Sequence, residues 1–429
     1  MLRVTHWMVL IAAAALVACG GSGSSPSSSS LTSSSGTGSS GTSSSSGSSG
    51  AGGNVVAVVV GPGPTAASSA FNIPTTTVTV CQPGTGTCAT VSNVLVDTGS
   101  SGLRLLGSAL KGLTLSDQQD PVVSGNLIAE CLTFVDGYVW GPVVVADVSI
   151  GGEKASGIAV HIIDDSGKDA LAPAAPASCT GSAGTNLSSL DTLSANGVLG
   201  IGTLIDDCGL YCTQPVSAQN SGYVYYSCSG SSCSPTTETE VDQVANPVAH
   251  FLVDNNGVIV QLPAIPHLGT TTVSGNLVFG IGTQSNNALG SATVLTSDDI
   301  GEITANYNGQ TLTGSFVDSG SNGLYFPNAA LSTCTGSSGA SNFYCPVSSP
   351  FAVPVTLMGN NGAMAQAALE IDNLKDLNQT YFAVNVGGPA VNNGSPAFDF
   401  GLPFFYGRHV FVAFDGRIAA GTLGPYYAY

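Results

Sequence analysis

The chain has 429 residues, of which 43% are hydrophobic and 8% charged, and its 8 Lys and Arg against 26 Asp and Glu give a net charge of −18. Length alone permits one large domain or two to three ordinary ones. Nucleic-acid binding and a polybasic membrane surface both need clustered positive charge, so both are excluded. The 56 Gly and 22 Pro break long helices and favour an all-β chain of many short strands.

Met1-Leu2-Arg3 is a short basic start, and Met8 to Val17 is an apolar run of 10 residues, too short to span a bilayer. It runs into Leu16-Val17-Ala18-Cys19, which resembles a bacterial lipobox; the alternative is an ordinary secretory signal with an incidental Cys. The resemblance implies removal of residues 1–18 and acylation of Cys19. It places the protein in the cell envelope, periplasmic or surface-exposed, in contact with the bilayer through the Cys19 anchor only. Gly20, where inner-membrane retention expects Asp, favours the outer membrane if the cell is a diderm. Residues 19–53 hold that Cys and a Ser/Gly run that cannot build a core, a flexible tether reaching about 30–35 Å.

Without Cys19, ten Cys remain, and an even number in an exported chain reads as five disulfides. Close spacing favours Cys81–Cys88, Cys208–Cys212, Cys228–Cys233 and Cys334–Cys345, leaving Cys131–Cys179, although sequence alone does not fix connectivity. No Cys-x-x-Cys occurs and the five His are scattered, so neither a metal nor a cofactor is expected.

From Asn54 the pattern is strand and turn. Val55 to Val60 reads as a buried strand, as do Val91 to Val96, Pro142 to Ile150, Asn276 to Gly280, Gly314 to Val317 and His409 to Phe414. Ala363 to Leu374 is a helix candidate. The acidic pairs Asp164-Asp165, Asp206-Asp207 and Asp298-Asp299 read as solvated loops.

The chain then repeats itself. Val94-Leu95-Val96-Asp97-Thr98-Gly99-Ser100-Ser101-Gly102-Leu103 returns as Ser315-Phe316-Val317-Asp318-Ser319-Gly320-Ser321-Asn322-Gly323-Leu324, with the two Asp 221 positions apart. Two carboxylates at one site cannot both ionise cheaply, so such a pair shares a proton. The charged partner then takes a proton from water while the neutral one donates to a carbonyl. Gly99 and Gly320 let the backbone turn tightly. Thr98 and Ser319 can brace the loops across a two-fold, and Ser100 and Ser321 can bond the outer carboxylate oxygens.

These paired motifs resemble those of pepsin-like aspartic proteases. Asn196 to Gly202 and Phe398 to Phe405 resemble the family's apolar-apolar-Gly segments, Val410 to Ile418 its closing hairpin, and Asn276 to Gly280 the strand that ends its first lobe. The resemblance covers most of residues 54–429 and is closer still to an uncharacterised family of bacterial lipoproteins carrying the same motif pair. It implies an all-β bilobal fold, two pseudo-symmetric barrel-like lobes with a central cleft. The lobes would span 54–283 and 284–429, with a Cys-rich insertion at about 204–241. It further implies Asp97 and Asp318 as catalytic residues of an endopeptidase acting on extended polypeptide, and a monomer.

The sequence departs from the family at the flap that closes over substrate. Phe134 stands at the place of the flap Tyr, Tyr138 is a substitute from the other side of the turn, and Arg104 replaces the supporting Trp. Arg104 near the dyad would favour ionised carboxylate. Phe134 and Trp140 also read as plain core aromatics. No Lys or Arg lies between Arg3 and Arg104 to serve as a basic prosegment. Asp318-Ser319-Gly320 lacks a His in any serine-protease context. The rival reading is a catalytically inactive pepsin-fold surface lipoprotein that binds peptide or glycan.

Overall fold

The computed structural model describes residues 53–64, 70–165, 171–181, 184–214, 224–336, 340–390 and 396–429. Cys19, the Ser/Gly run and the signal segment lie outside the described residues. Strands dominate, and the longest helical stretch among the described residues is the five-residue turn Gly209–Thr213. Val-rich sequence explains this: β-branched side chains fit a pleated surface buried on both sides. Val58, Val60, Val78, Val80, Val94 and Val96 are all fully buried, each contributing about 1.5–3 kcal/mol of transfer free energy.

Six antiparallel strands of a 17-stranded sheet join the two halves of the chain. Their order is Val55–Val60, Val273–Phe279, Gly257–Leu262, Arg408–Ala413, Tyr426–Ala428 and Val294–Thr296. The closing strands of the chain therefore belong to a layer shared by both halves. On one side stand the strands of the first half, from Pro74–Cys81 to Gly197–Ile201. On the other stands a seven-stranded sheet built from residues 303 to 400. The architecture is all-β and bilobal.

Each lobe contains the same threaded unit. The strand entering the first Asp, Cys88–Asp97, pairs in parallel with Gly197–Ile201, which also pairs antiparallel with Ser101–Leu106 beyond the Asp loop. In the second lobe Gln310–Val317 pairs in parallel with Asp399–Phe400, which pairs antiparallel with Leu324–Tyr325. A central strand thus supports the strands on both sides of each Asp loop.

Two expectations are corrected. The helix candidate at 363–374 contains the strand Met364–Ile371, paired along its length with Phe351–Met358. Its Ala367, Leu369 and Ile371 are buried while Met364, Gln366, Ala368 and Glu370 are exposed. Side-chain alternation of period two overrode the helix propensity of Ala and Leu. Asp206 and Asp207 are not solvated either. Asp206 is buried near His250, and Asp207 is buried against Arg104.

The structure forms five disulfides, Cys81–Cys88, Cys131–Cys179, Cys208–Cys212, Cys228–Cys233 and Cys334–Cys345.

Candidate active site

Asp97 and Asp318 meet between the lobes. Each carboxylate accepts its own loop's Gly amide, Gly99 N to Asp97 Oδ1 at 2.8 Å and Gly320 N to Asp318 Oδ1 at 2.7 Å. Each outer oxygen takes a Ser hydroxyl, Ser100 to Asp97 Oδ2 at 2.5 Å and Ser321 to Asp318 Oδ2 at 2.8 Å. The glycines are there because the carboxyls approach so closely. A Cβ on Gly99 would stand 2.5 Å from Asp318 Cγ, and one on Gly320 would stand 2.6 Å from Asp97 Oδ1. No side chain larger than hydrogen fits either place.

The loops are braced reciprocally by the residues that follow each Asp. Thr98 N donates to Ser319 Oγ at 3.1 Å and Ser319 N donates to Thr98 Oγ1 at 2.9 Å. The hydroxyls in turn donate across the two-fold, Thr98 to the Val317 carbonyl at 2.9 Å and Ser319 to the Val96 carbonyl at 2.7 Å. Four hydrogen bonds among buried groups fix the separation of the two carboxyls.

Burial, then the neighbouring Asp97, pushes the Asp318 carboxyl up to about 8. The two carboxyls face each other, and that of Asp318 therefore favours its protonated form at neutral and acid pH.

A third carboxyl, Asp399, lies beside them and was missed in the sequence. It is buried, and its pKa stands well above the usual range through burial and then the charge of Asp318. Tyr325, its antiparallel partner, is raised by burial and then by Asp399, Asp136 and Asp318. The signal was present in Phe398-Asp399-Phe400-Gly401: a charged residue stands where the first lobe has Val198.

The strands Leu127–Phe134 and Gly137–Ile150 form a hairpin. Asp136 in its turn approaches Tyr325 of the second lobe. The aromatics proposed for substrate closure pack in two clusters of their own. Trp140 packs edge-on against Tyr226 and donates its Nε1–H to the Pro173 carbonyl at 2.8 Å. Tyr138 is buried in the same cluster, with Cys131 and Cys179. Both line a cavity of about 350 Å³ with Pro173 and Asn186, whose walls include neither Asp97 nor Asp318. Phe134 packs beside a separate cluster around Leu106, Val139 and Leu187.

Arg104 requires a correction. It is fully buried, bonds Glu130 at 2.7 Å, and also meets Asp207. His161 meets the other Glu130 oxygen, and the Tyr225 hydroxyl donates to Asp207 at 3.1 Å. Burial works against the Arg104 charge, but Glu130 and Asp207 outweigh it and hold its pKa above the ordinary value. Arg104 is not among the groups that shift the Asp318 carboxyl. Two acids claim it, so its charge is spent inside the first lobe.

The Cys-rich segment packs on the hairpin as well. Its strand Tyr225–Ser229 pairs with the hairpin strand Leu127–Phe134, and Ser232–Pro235 pairs outside it. On the other flank, Thr185–Asn186 pairs with Gly137–Tyr138. Cys131–Cys179 then ties the hairpin to the neighbouring segment. The hairpin is strapped on both edges.

Fold and site together define an all-β, two-lobed protein with a buried carboxyl pair at the junction of its lobes. The family described as "Protein of unknown function (DUF3443)" matches residues 50–429, and the chain belongs to it. No curated protein matches the chain. Among solved structures, the crystal structure of an aspartic proteinase from Irpex lacteus is similar with 13% identity and a TM-score of 0.45, over 87% of this chain and 96% of that one.

Proposed function

We propose that the protein is an aspartic endopeptidase anchored at the cell envelope through Cys19. The observation that carries this reading is the mirrored pair of Asp loops, with each carboxylate held by a Gly amide and a Ser hydroxyl. In this reading a water lies between the carboxyls of Asp97 and Asp318. Asp97 takes a proton from the water as its oxygen bonds to the peptide carbonyl carbon, and Asp318 gives its proton to the carbonyl oxygen. The gem-diol intermediate collapses by breaking the C–N bond: the leaving amine takes the proton held by Asp97, and one gem-diol hydroxyl returns its proton to Asp318, leaving a carboxylic acid and the starting dyad. Thr98, Gly99, Ser100, Ser319, Gly320 and Ser321 keep the carboxyls in register. The substrate is an extended polypeptide with apolar side chains, since the chain offers few charges to read others, and neither metal nor cofactor takes part.

The test is cleavage of an unfolded protein and a peptide library from about pH 3 to 7, with Asp97→Asn and Asp318→Asn alongside. Cleavage lost in both variants supports the reading. A folded protein that cleaves nothing at any pH overturns it.

One observation favours a second reading, a surface lipoprotein that binds peptide or glycan without turnover. The strapped hairpin keeps Tyr138 and Trp140 packed inside their own cluster. Saturable peptide binding, unchanged when both Asp are replaced, would decide for it.

A further inference from the structure

Four neighbouring strands of the shared sheet have ends on one side of the molecule. Asn54 leads into Val55–Val60, Phe279 closes the next strand, Gly257 opens the third and Ala413 closes the fourth, all in antiparallel register. At about 4.8 Å per strand, the first and fourth stand about 15 Å apart. Asn54 is pinned there. Its side chain donates to the Phe279 carbonyl at 2.9 Å, and the Phe279 amide donates to its carbonyl at 2.8 Å. The segment that carries Cys19 therefore meets the described fold at this end.

Two loops at the same end turn apolar side chains to solvent. Before Gly257, Leu252 is 92% and Val253 57% exposed; after Ala413, Ile418 is 69% and Leu423 61% exposed. Ile418 and Leu423 are direct cross-strand partners. The loops are bonded to each other. Phe414 N donates to the Asn256 carbonyl at 3.1 Å, Asn256 Nδ2 to the Ile418 carbonyl at 3.1 Å, and Arg417 Nη2 to the Ala249 carbonyl at 3.4 Å. Asp254, next to Val253, is buried against the Thr283 hydroxyl and the Gln284 amide, so its charge is turned inward. Asp415 and Arg417 are half-buried and opposite in sign. Single exposed apolar side chains are ordinary, but four on two bonded loops beside the point of entry make a surface.

We propose that this end of the protein lies on the bilayer that holds Cys19, with Leu252, Val253, Ile418 and Leu423 in the headgroup region. The occupant follows from the chain: a Cys19 tether of about 30–35 Å reach ends at Asn54, which keeps the lipid surface within range of these side chains. The tether also raises the local concentration, so a contact too weak to hold a free protein suffices. A net charge of −18 is repelled by anionic headgroups, so the contact is apolar and suits zwitterionic lipid. An anchor alone leaves the domain free to turn, whereas this contact fixes one orientation. It rests on the reading of Cys19 as a lipid anchor.

The test uses the oxidised chain from Cys19 to Tyr429, with the Cys19 thiol coupled to a maleimide lipid in phosphatidylcholine vesicles whose acyl chains carry bromine near the headgroup. Leu252→Trp and Ile418→Trp each place an indole at this end. Leu210→Trp places one at an exposed site of the Cys-rich segment. That segment packs near Glu130 and Gly141, whereas the same hairpin meets Val55 only at Gly151. Trp140 is buried and gives a constant background. Side chains in the interface lie about 5–10 Å deep, so bromine should quench about half of the emission added by Leu252→Trp and by Ile418→Trp. It should spare Leu210→Trp. Either reporter suffices if the other does not fold. Quenching of all three alike, or of none, overturns the proposal. Unquenched reporters together with a lipid-free dimer that Leu252→Glu breaks would give the face to a second copy. The mass of the Cys19 peptide from the native source checks the anchor separately. An unacylated Cys19 sinks the anchor reading alone, and unquenched reporters on the coupled protein sink the surface alone.

Discussion

Thr98 and Ser319, 221 residues apart, exchange backbone amide hydrogens for side-chain hydroxyl oxygens across the junction of the lobes, at 3.1 and 2.9 Å. Thr98→Val keeps the shape and removes one hydroxyl. It leaves the Ser319 amide and the Val317 carbonyl without their partner in a buried setting. The expected loss is about 1–3 kcal/mol per stranded group, read as a fall in the urea midpoint with an unchanged m-value.

The dyad links stability to pH. The Asp318 pKa is raised from 3.8 to about 8 in the folded chain. Between those values the native state binds more protons than the unfolded one, so stability falls as pH rises. Asp318→Asn removes this dependence. Its melting temperature should gain on wild type progressively from pH 4 to pH 8, with the smallest difference at the acid end; a constant difference across that range would contradict the assignment.

Glu238 makes a similar prediction at a distance from the dyad. Its two oxygens are buried without hydrogen-bond partners, and burial, then Asp242 and Asp120, raise its pKa from 4.5 to about 8. Glu238→Gln should be close to neutral near pH 4 and stabilising at pH 8, because only the wild type must lose a proton there. Thermal melts at the two pH values check the sign.

Removing the Arg104 side chain should be severe. Arg104→Leu removes the guanidinium that Glu130 and Asp207 share in a buried setting, and breaking a buried pair by deleting one partner costs about 3–5 kcal/mol. Chemical denaturation measures this. Replacing Arg104, Glu130 and Asp207 together by apolar residues should recover much of the loss.

The bridge Cys131–Cys179 closes a separation of 48 residues. Replacing both by Ala should cost about 4 kcal/mol on the chain-entropy estimate. The same change should speed amide hydrogen exchange in the hairpin strands 127–134 and 137–150 more than in the strands 88–97 and 310–317.

The sequence made the Asp loops legible because the same chemistry is written twice: an apolar strand, Asp, a hydroxyl residue, Gly and Ser recur in one order. The strand at 364–371 was obscured because Ala and Leu suit a helix, and only cross-strand pairing with 351–358 decides their state. Arg104 was misplaced for a related reason. Its partners Glu130 and Asp207 lie 26 and 103 residues away, so nothing local told that its charge was already claimed. Asp399 was readable in principle, by setting Val198 beside it in the two copies.

The shared sheet has a consequence for how the chain is made. Its first strand, Val55–Val60, is laid down at the start of the described fold, yet the same layer is finished by Arg408–Ala413 and Tyr426–Ala428. Pairings this distant in sequence are slow to form. While synthesis proceeds, the edge of Gly257–Leu262 that later receives Arg408–Ala413 stays bare, an adhesive surface for any other extended segment. A factor that shields this edge until Arg408–Ala413 is made would raise the yield of folded protein.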